Sequence, residues 1–118
     1  MEEHLVKEDK QVDLRIKKNL LEKIVSGEKV EDYRAVSRYN LGLLANFESK
    51  TGNKVQYMPR EDITHIRFVS GYGDNIKFAI CEISGIFSVR YVKVIPEGIK
   101  PGTIMLTIKI RQVVKHNL

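Results

Sequence analysis

Ser26-Gly27-Glu28-Lys29-Val30-Glu31-Asp32-Tyr33-Arg34 is the stretch on which the reading of this chain turns. It follows a short amphipathic segment, turns at a glycine, and then sets five charged residues into a run that otherwise alternates like a strand. A purely structural strand has no use for Lys29, Glu31, Asp32 and Arg34 so close together. Opposite charges at this density point to a solvated edge or to a small polar cavity with an internal ion-pair network. In a regular strand Lys29, Glu31 and Tyr33 face one side, and Val30, Asp32 and Arg34 the other. A site shared by Lys29 and Arg34 therefore needs a bulge or a cleft edge.

Upstream, Val12, Leu14 and Ile16 alternate with Asp13, Arg15 and Lys17, the period of a half-buried strand. Asn19 is expected to cap a short helix carrying Leu20, Leu21, Ile24 and Val25 on one face, with Glu22 and Lys23 outside. Gly27 stands where a helix end favours a left-handed residue. Residues 1–11 show no apolar periodicity and are expected to form a flexible arm, leaving 12–118 as one domain.

Downstream, Leu41, Leu44 and Phe47, flanked by Leu43, predict a second helix, which the turn-rich stretch 49–54 ends. Residues 57–62 read as irregular. Four β runs follow, at 63–70, 77–83, 86–94 and 103–114, separated by Gly71, Gly73, Gly85, Pro96, Gly98, Pro101 and Gly102. Strands outnumber helices and the helices cluster in the first half. The expected class is α+β: a small mixed β-barrel with about two helices packed on it, since closure removes exposed sheet edges.

Composition narrows the functions. The chain has 118 residues, 42% hydrophobic and 30% charged, ordinary values for a soluble domain. No apolar run approaches the roughly 20 residues that span a bilayer, and the first residues do not read as a signal peptide, so no membrane partner is expected. The single cysteine, Cys81, rules out an internal disulfide and fits a reducing cytoplasm. Sitting in an apolar strand, it reads as a core residue rather than a nucleophile. His4, His65 and His116 lack partners at ligand spacing, so neither a metal site nor a cofactor is expected. A net charge of +5 permits a polyanionic partner without requiring one.

At this point a family resemblance enters. The strand 12–16, the helix ending Ile24-Val25-Ser26-Gly27 and the run Glu28 to Arg34 resemble the ASCH domain family. Phe68-Val69-Ser70-Gly71-Tyr72-Gly73 is similar to a phenylalanine, asparagine, glycine, tyrosine, glycine stretch of one subgroup. Ala79-Ile80-Cys81-Glu82-Ile83-Ser84-Gly85-Ile86 is similar to a family strand with a glutamate before a glycine, and the run 103–110 to a last barrel strand. The resemblance spans residues 12–114 and implies a PUA-like barrel with a cleft that binds RNA or a nucleotide. It also implies an alternative, since some small bacterial members hydrolyse acetylcytidine to cytidine and acetate. In that branch a lysine after the glycine turn acts with a threonine three positions on and a glutamate elsewhere. Lys29 matches the lysine, whereas Asp32 stands at the threonine's place. An aspartate serves as a base but cannot copy a hydroxyl nucleophile.

The candidate residues follow. Arg34 suits a phosphate or carboxylate through paired hydrogen bonds, and Lys29 offers a point charge. Glu31 and Tyr33 share the strand, and either Tyr33 or Tyr72 offers a stacking face. Gly71 and Gly73 allow close approach of a ligand to the backbone beside Tyr72. Glu82, on the side of Phe78 and Ile80, needs a cationic partner if that side is core, and Lys29 or Arg34 is the expected one. In the hydrolase alternative Lys29 is the base or activates the nucleophile, and Glu82 shuttles the proton. The bland reading of all these charges is surface ion pairs of little energetic worth. A third reading leaves the cleft vestigial in an accessory protein.

Overall fold

The computed structural model describes residues 10–51 and 54–118, and the side chains of 10–46 and 56–118. Most of the expected arm, residues 1–9, lies outside the described residues. Strand β1 spans Gln11–Arg15, and its alternation buries Leu14 while Asp13 and Arg15 face outward. Helix α1 covers Lys18–Ser26 and buries Leu21 and Ile24. Each such side chain contributes about 1.5–3 kcal/mol by leaving water. The helix begins two residues earlier than an Asn19 cap would place it. Lys17 holds the cap position without a side-chain cap, and its carbonyl accepts the N–H groups of Leu20 and Leu21 at 3.1 and 3.0 Å.

Gly27 ends α1 in the left-handed region, at φ 84°. Its N–H donates to the Ile24 carbonyl at 3.1 Å, and the Lys29 N–H donates to the Lys23 carbonyl at 3.0 Å. Those bonds fold the chain back over the helix end and launch strand β2, Glu31–Ala35. Lys29 thus belongs to the turn rather than to the ladder, so strict strand alternation does not govern its side chain.

Helix α2, Arg38–Leu44, is capped by Ser37, whose Oγ accepts the Asn40 N–H at 3.2 Å. It buries Leu41 and Leu44 and stops there, because Ala45 is already extended. The expected extension of the helix to Phe47 is corrected: the backbone of Phe47 is in strand β3, Ala45–Thr51, while its side chain lies outside the described residues. Strand β4, Lys54–Pro59, pairs antiparallel with β3, so residues read as turn and irregular chain form a hairpin.

Strand β5 is His65–Ser70, followed by a single 3₁₀ turn, Gly73–Asn75. Strand β6 runs unbroken from Lys77 to Arg90, and β7 from Ile104 to His116. The two separate strands expected around Gly85 are one. The register with β7 shifts between Glu82 and Ile83 and again between Ile83 and Gly85, so bulges bend the strand where a break was read. A Cβ at Gly85 would stand 2.9 Å from the exposed Phe87 ring, so a larger residue there would have to displace that ring. The run beyond Arg90 leaves the sheet and becomes a loop to residue 103.

Five strands form one sheet in the order β1-β5-β6-β7-β2, parallel between β1 and β5 and antiparallel elsewhere. The sheet curls into a half-barrel, and α1 packs across β5, β6 and β7. Phe68, Ile66, Ala79, Cys81, Leu106 and Ile108 join Leu21 and Ile24 in the core. The α+β class, the mixed sheet and the two helices are as the sequence predicts. The two edge strands meet without a backbone ladder. Instead the Arg34 guanidinium crosses the seam and donates from Nη1 to the Arg15 carbonyl at 2.9 Å. Among the described residues no helix is long and apolar enough to cross a membrane.

Candidate functional site

Asp32 sits at the centre of the charged stretch and is 4% exposed, the one buried ionisable carboxylate among the described residues. Burial of a carboxylate requires cations and hydrogen bonds around it. Arg34 supplies a bond from Nε to Oδ2 at 2.6 Å, and Lys29 places Nζ 3.9 Å from Oδ1. Lys29 and Arg34, which alternation would separate, therefore meet through Asp32. The glycine turn that carries Lys29 out of the ladder is what makes this possible.

The other strand face holds the second half of the cluster. Tyr33 donates its phenol to Glu31 Oε2 at 2.9 Å, and Lys29 Nζ lies 5.0 Å from the Tyr33 ring centroid. Tyr91 packs edge-on against the same ring at 5.7 Å and exchanges a 2.8 Å hydrogen bond with the buried Thr107 hydroxyl. Burial pushes the Tyr33 phenol well above its ordinary range, and the Glu31 carboxylate pushes it the same way. Tyr33 is thus a fixed hydrogen-bond donor at neutral pH. With a lysine over it and a tyrosine edge against it, its ring is a wall rather than a free stacking face.

Two recesses open beside the cluster, one lined by Asp32 and the other by its partner Arg34. The larger, about 800 Å³, is bounded by α1, the run from Glu28 to Tyr33, and the loop from Pro96 to Ile99. Its charged lining is Lys23 and Lys29 against Glu28, Glu31, Asp32 and Glu97. The smaller, about 510 Å³, lies on the outer side of β1 and β5 beside the start of α2. It is lined by Arg15, Arg34 and Arg67 against Asp13, with Tyr39 and Asn40 at its margin.

Gly71 and Tyr72 join the cluster through Arg15. The Arg15 Nη2 donates to the Gly71 carbonyl at 2.5 Å, and the guanidinium stacks 4.1 Å from the Tyr72 ring centroid. Gly71, at φ 87°, also has no room for a side chain, because a Cβ would lie 2.8 Å from the Asn75 carbonyl oxygen. Lys29, Asp32, Arg34, Arg15 and the Gly71-Tyr72 turn thus form one continuous series of contacts.

Glu82 stands apart. In β6 the buried positions are Ala79, Cys81 and Ile83, so Phe78, Ile80 and Glu82 face the other way. Its partner is Arg111, at 3.4 Å, rather than Lys29 or Arg34, and it lines neither recess. The expected link from Glu82 to the charged cleft is corrected on that geometry.

Arg15, Asp13 and Arg67 were not singled out as functional by sequence. Their meeting depends on the parallel register that sets Asp13 opposite Arg67, which no local pattern shows. Among the described residues no group of three or more histidines, cysteines, aspartates or glutamates is placed to hold a metal ion. Compared with family models, curated proteins and solved structures, the chain matches none.

Proposed function

We propose that the protein recognises RNA or a nucleotide at the cluster centred on Asp32. The observation that supports this is the continuous series from Lys29 through Asp32, Arg34 and Arg15 to Tyr72. It lines up cations for anionic groups with an exposed aromatic face for a base. In the larger recess the Tyr33 phenol and the carboxylates of Glu31 and Glu97 offer polar contacts suited to the edge of a base or a ribose. The test is calorimetric titration with the common ribonucleotides and a short RNA, with Lys29→Ala and Arg34→Lys alongside. Saturable binding weakened by both substitutions is the expected result. Absence of binding to every one of these ligands at millimolar concentration would sink the reading.

One observation favours a second reading. Carboxylates outnumber lysines in the larger recess, which suits an uncharged nucleoside better than a phosphate. In this reading a water activated by the Lys29–Asp32 pair attacks the acetyl carbon of acetylcytidine. The amide C–N bond breaks, and the departing exocyclic nitrogen takes a proton. Glu31, at the recess, fills the proton-transfer role that Glu82 is too far removed to take. Incubation with acetylcytidine and chromatography for cytidine decides it. Turnover lost in Lys29→Ala supports hydrolysis, and no turnover at high protein concentration discards that substrate.

A further inference from the structure

We propose that the arginine-lined groove on β1, β5 and the start of α2 is a binding site for a single-stranded nucleic acid. Its arginines take phosphodiesters, and Tyr72 and Tyr39 lie against bases. This inference rests on the nucleotide-type ligand proposed above and extends its site along β1 and β5 to Arg67 and Tyr39.

Charge is the first argument. Of the groove's three guanidinium groups, Arg67 is balanced by Asp13 at 3.2 Å and Arg34 by Asp32 at 2.6 Å. Among the described residues no carboxylate pairs with Arg15, whose bonds go to a carbonyl and a ring face. Neutral partners fix its plane without cancelling its charge, which leaves a preoriented fork for an incoming oxyanion. Aromatic exposure is the second. Tyr72 is 78% exposed and Tyr39 75% exposed. Arg15 holds one face of Tyr72, so the ring is presented as a platform rather than left to rotate freely. Stacking on such platforms needs unstacked bases, which a single strand offers and a duplex hides. An acidic peptide would satisfy the arginines but leaves the two tyrosines unexplained.

The experiment is fluorescence anisotropy with labelled uridine RNA and thymidine DNA of about eight nucleotides, within the usual span of such sites. The full chain is titrated at several salt concentrations. Both oligomers bind, with affinity falling as salt rises by a log–log slope of about −0.7 for each phosphate held. Arg15→Gln and Arg67→Gln each weaken binding roughly tenfold and flatten the slope by about 0.7. Tyr72→Ala weakens binding by about fivefold or more without changing the slope, and Tyr72→Phe restores it. Uridine binding, measured by calorimetry, is unchanged in Arg67→Gln, since Arg67 lines the groove but lies outside the Lys29–Asp32–Arg34 cluster. Melting temperatures establish that each variant is folded, and Arg67→Gln serves if Arg15→Gln is not.

The proposal is overturned if both arginine variants bind RNA and DNA as tightly as the original chain. If Lys29→Ala abolishes that binding instead, the nucleotide reading stands and only the groove assignment falls. Uridine binding with no oligomer binding has the same consequence. No binding of uridine, nucleotide or oligomer overturns both. A preference between RNA and DNA identifies the sugar that the site accepts.

Discussion

Asp32 and Asp62 hold the same kind of partners and differ in where water can reach. Each lies two residues from the arginine that binds it, and each has a lysine as its second cation. Asp62 has the better geometry: Arg60 reaches both carboxylate oxygens, at 2.9 and 2.8 Å, and Lys10 stands at 3.0 Å. Asp32 has one short bond and one contact at 3.9 Å. Yet the Asp62 side chain is 45% exposed and that of Asp32 is 6% exposed. Solvent screens the first cluster, while the second must neutralise its charge within the protein. The difference teaches that burial, more than the number of ion pairs, marks which charges the fold depends on. Asp32 also lines the larger recess while its partner Arg34 lines the smaller, so the same ion pair joins stability to the candidate site.

The largest effect expected is that of Arg34→Ala, which leaves the Asp32 charge buried with only the distant lysine. A loss of about 3–5 kcal/mol should appear in urea unfolding. Replacing both partners at once, as Asp32→Leu with Arg34→Met, should recover much of that loss while still weakening ligand binding. A double variant as unstable as the single one would show that the guanidinium matters through the seam to Arg15 instead.

Cys81 gives an independent reading of the same contrast. Burial raises its thiol to about 11, so native protein should resist a thiol-specific disulfide reagent at mildly alkaline pH. Labelling then requires opening, and Arg34→Ala should accelerate it about a hundredfold or more if opening is global. Asp62→Asn should change the rate little. Equal acceleration by both would break the comparison.

Tyr33→Phe should cost about 1 kcal/mol by leaving Glu31 without its phenol. Because the folded phenol titrates above its unfolded value near 10, its contribution is complete below that pH. It is lost as pH rises through the folded value. Stability of the original chain should therefore fall on the alkaline side, and the substitution should flatten that fall. Absorbance titration should show one tyrosine ionising late.

Asp62→Asn should have the smallest effect. Arg60, and then Lys10, hold the Asp62 carboxyl well below the usual carboxylate range. Its contribution is present above the unfolded value near 3.9 and fades as pH falls below it. Exposure makes that contribution slight, and added salt should reduce it further. A loss approaching that of Arg34→Ala would overturn the distinction between the two carboxylates.

Much of the fold was legible because its signals are local. The alternation of Val12, Leu14 and Ile16, the apolar face ending at Ile24, and the left-handed Gly27 all lie within a few residues of what they specify. The errors arose where neighbours far along the chain decide. Gly85 reads as a break but is a bend, because β7 continues the ladder past it with shifted register. Phe47 completes a helical stripe on paper, yet the backbone turns extended at Ala45 and pairs with β4.

The candidate site divides the same way. Sequence alone determined that charge concentrates between Lys29 and Arg34, that a glycine turn precedes it, and that Gly71-Tyr72 forms a tight corner. Only tertiary structure decided that Asp32 is the buried hub, that Arg15 joins Tyr72 to the seam, and that Glu82 faces Arg111. The physical reason is that turns and strand faces follow from bonds along the chain. Burial and charge partnership depend instead on which strands the curled sheet brings together.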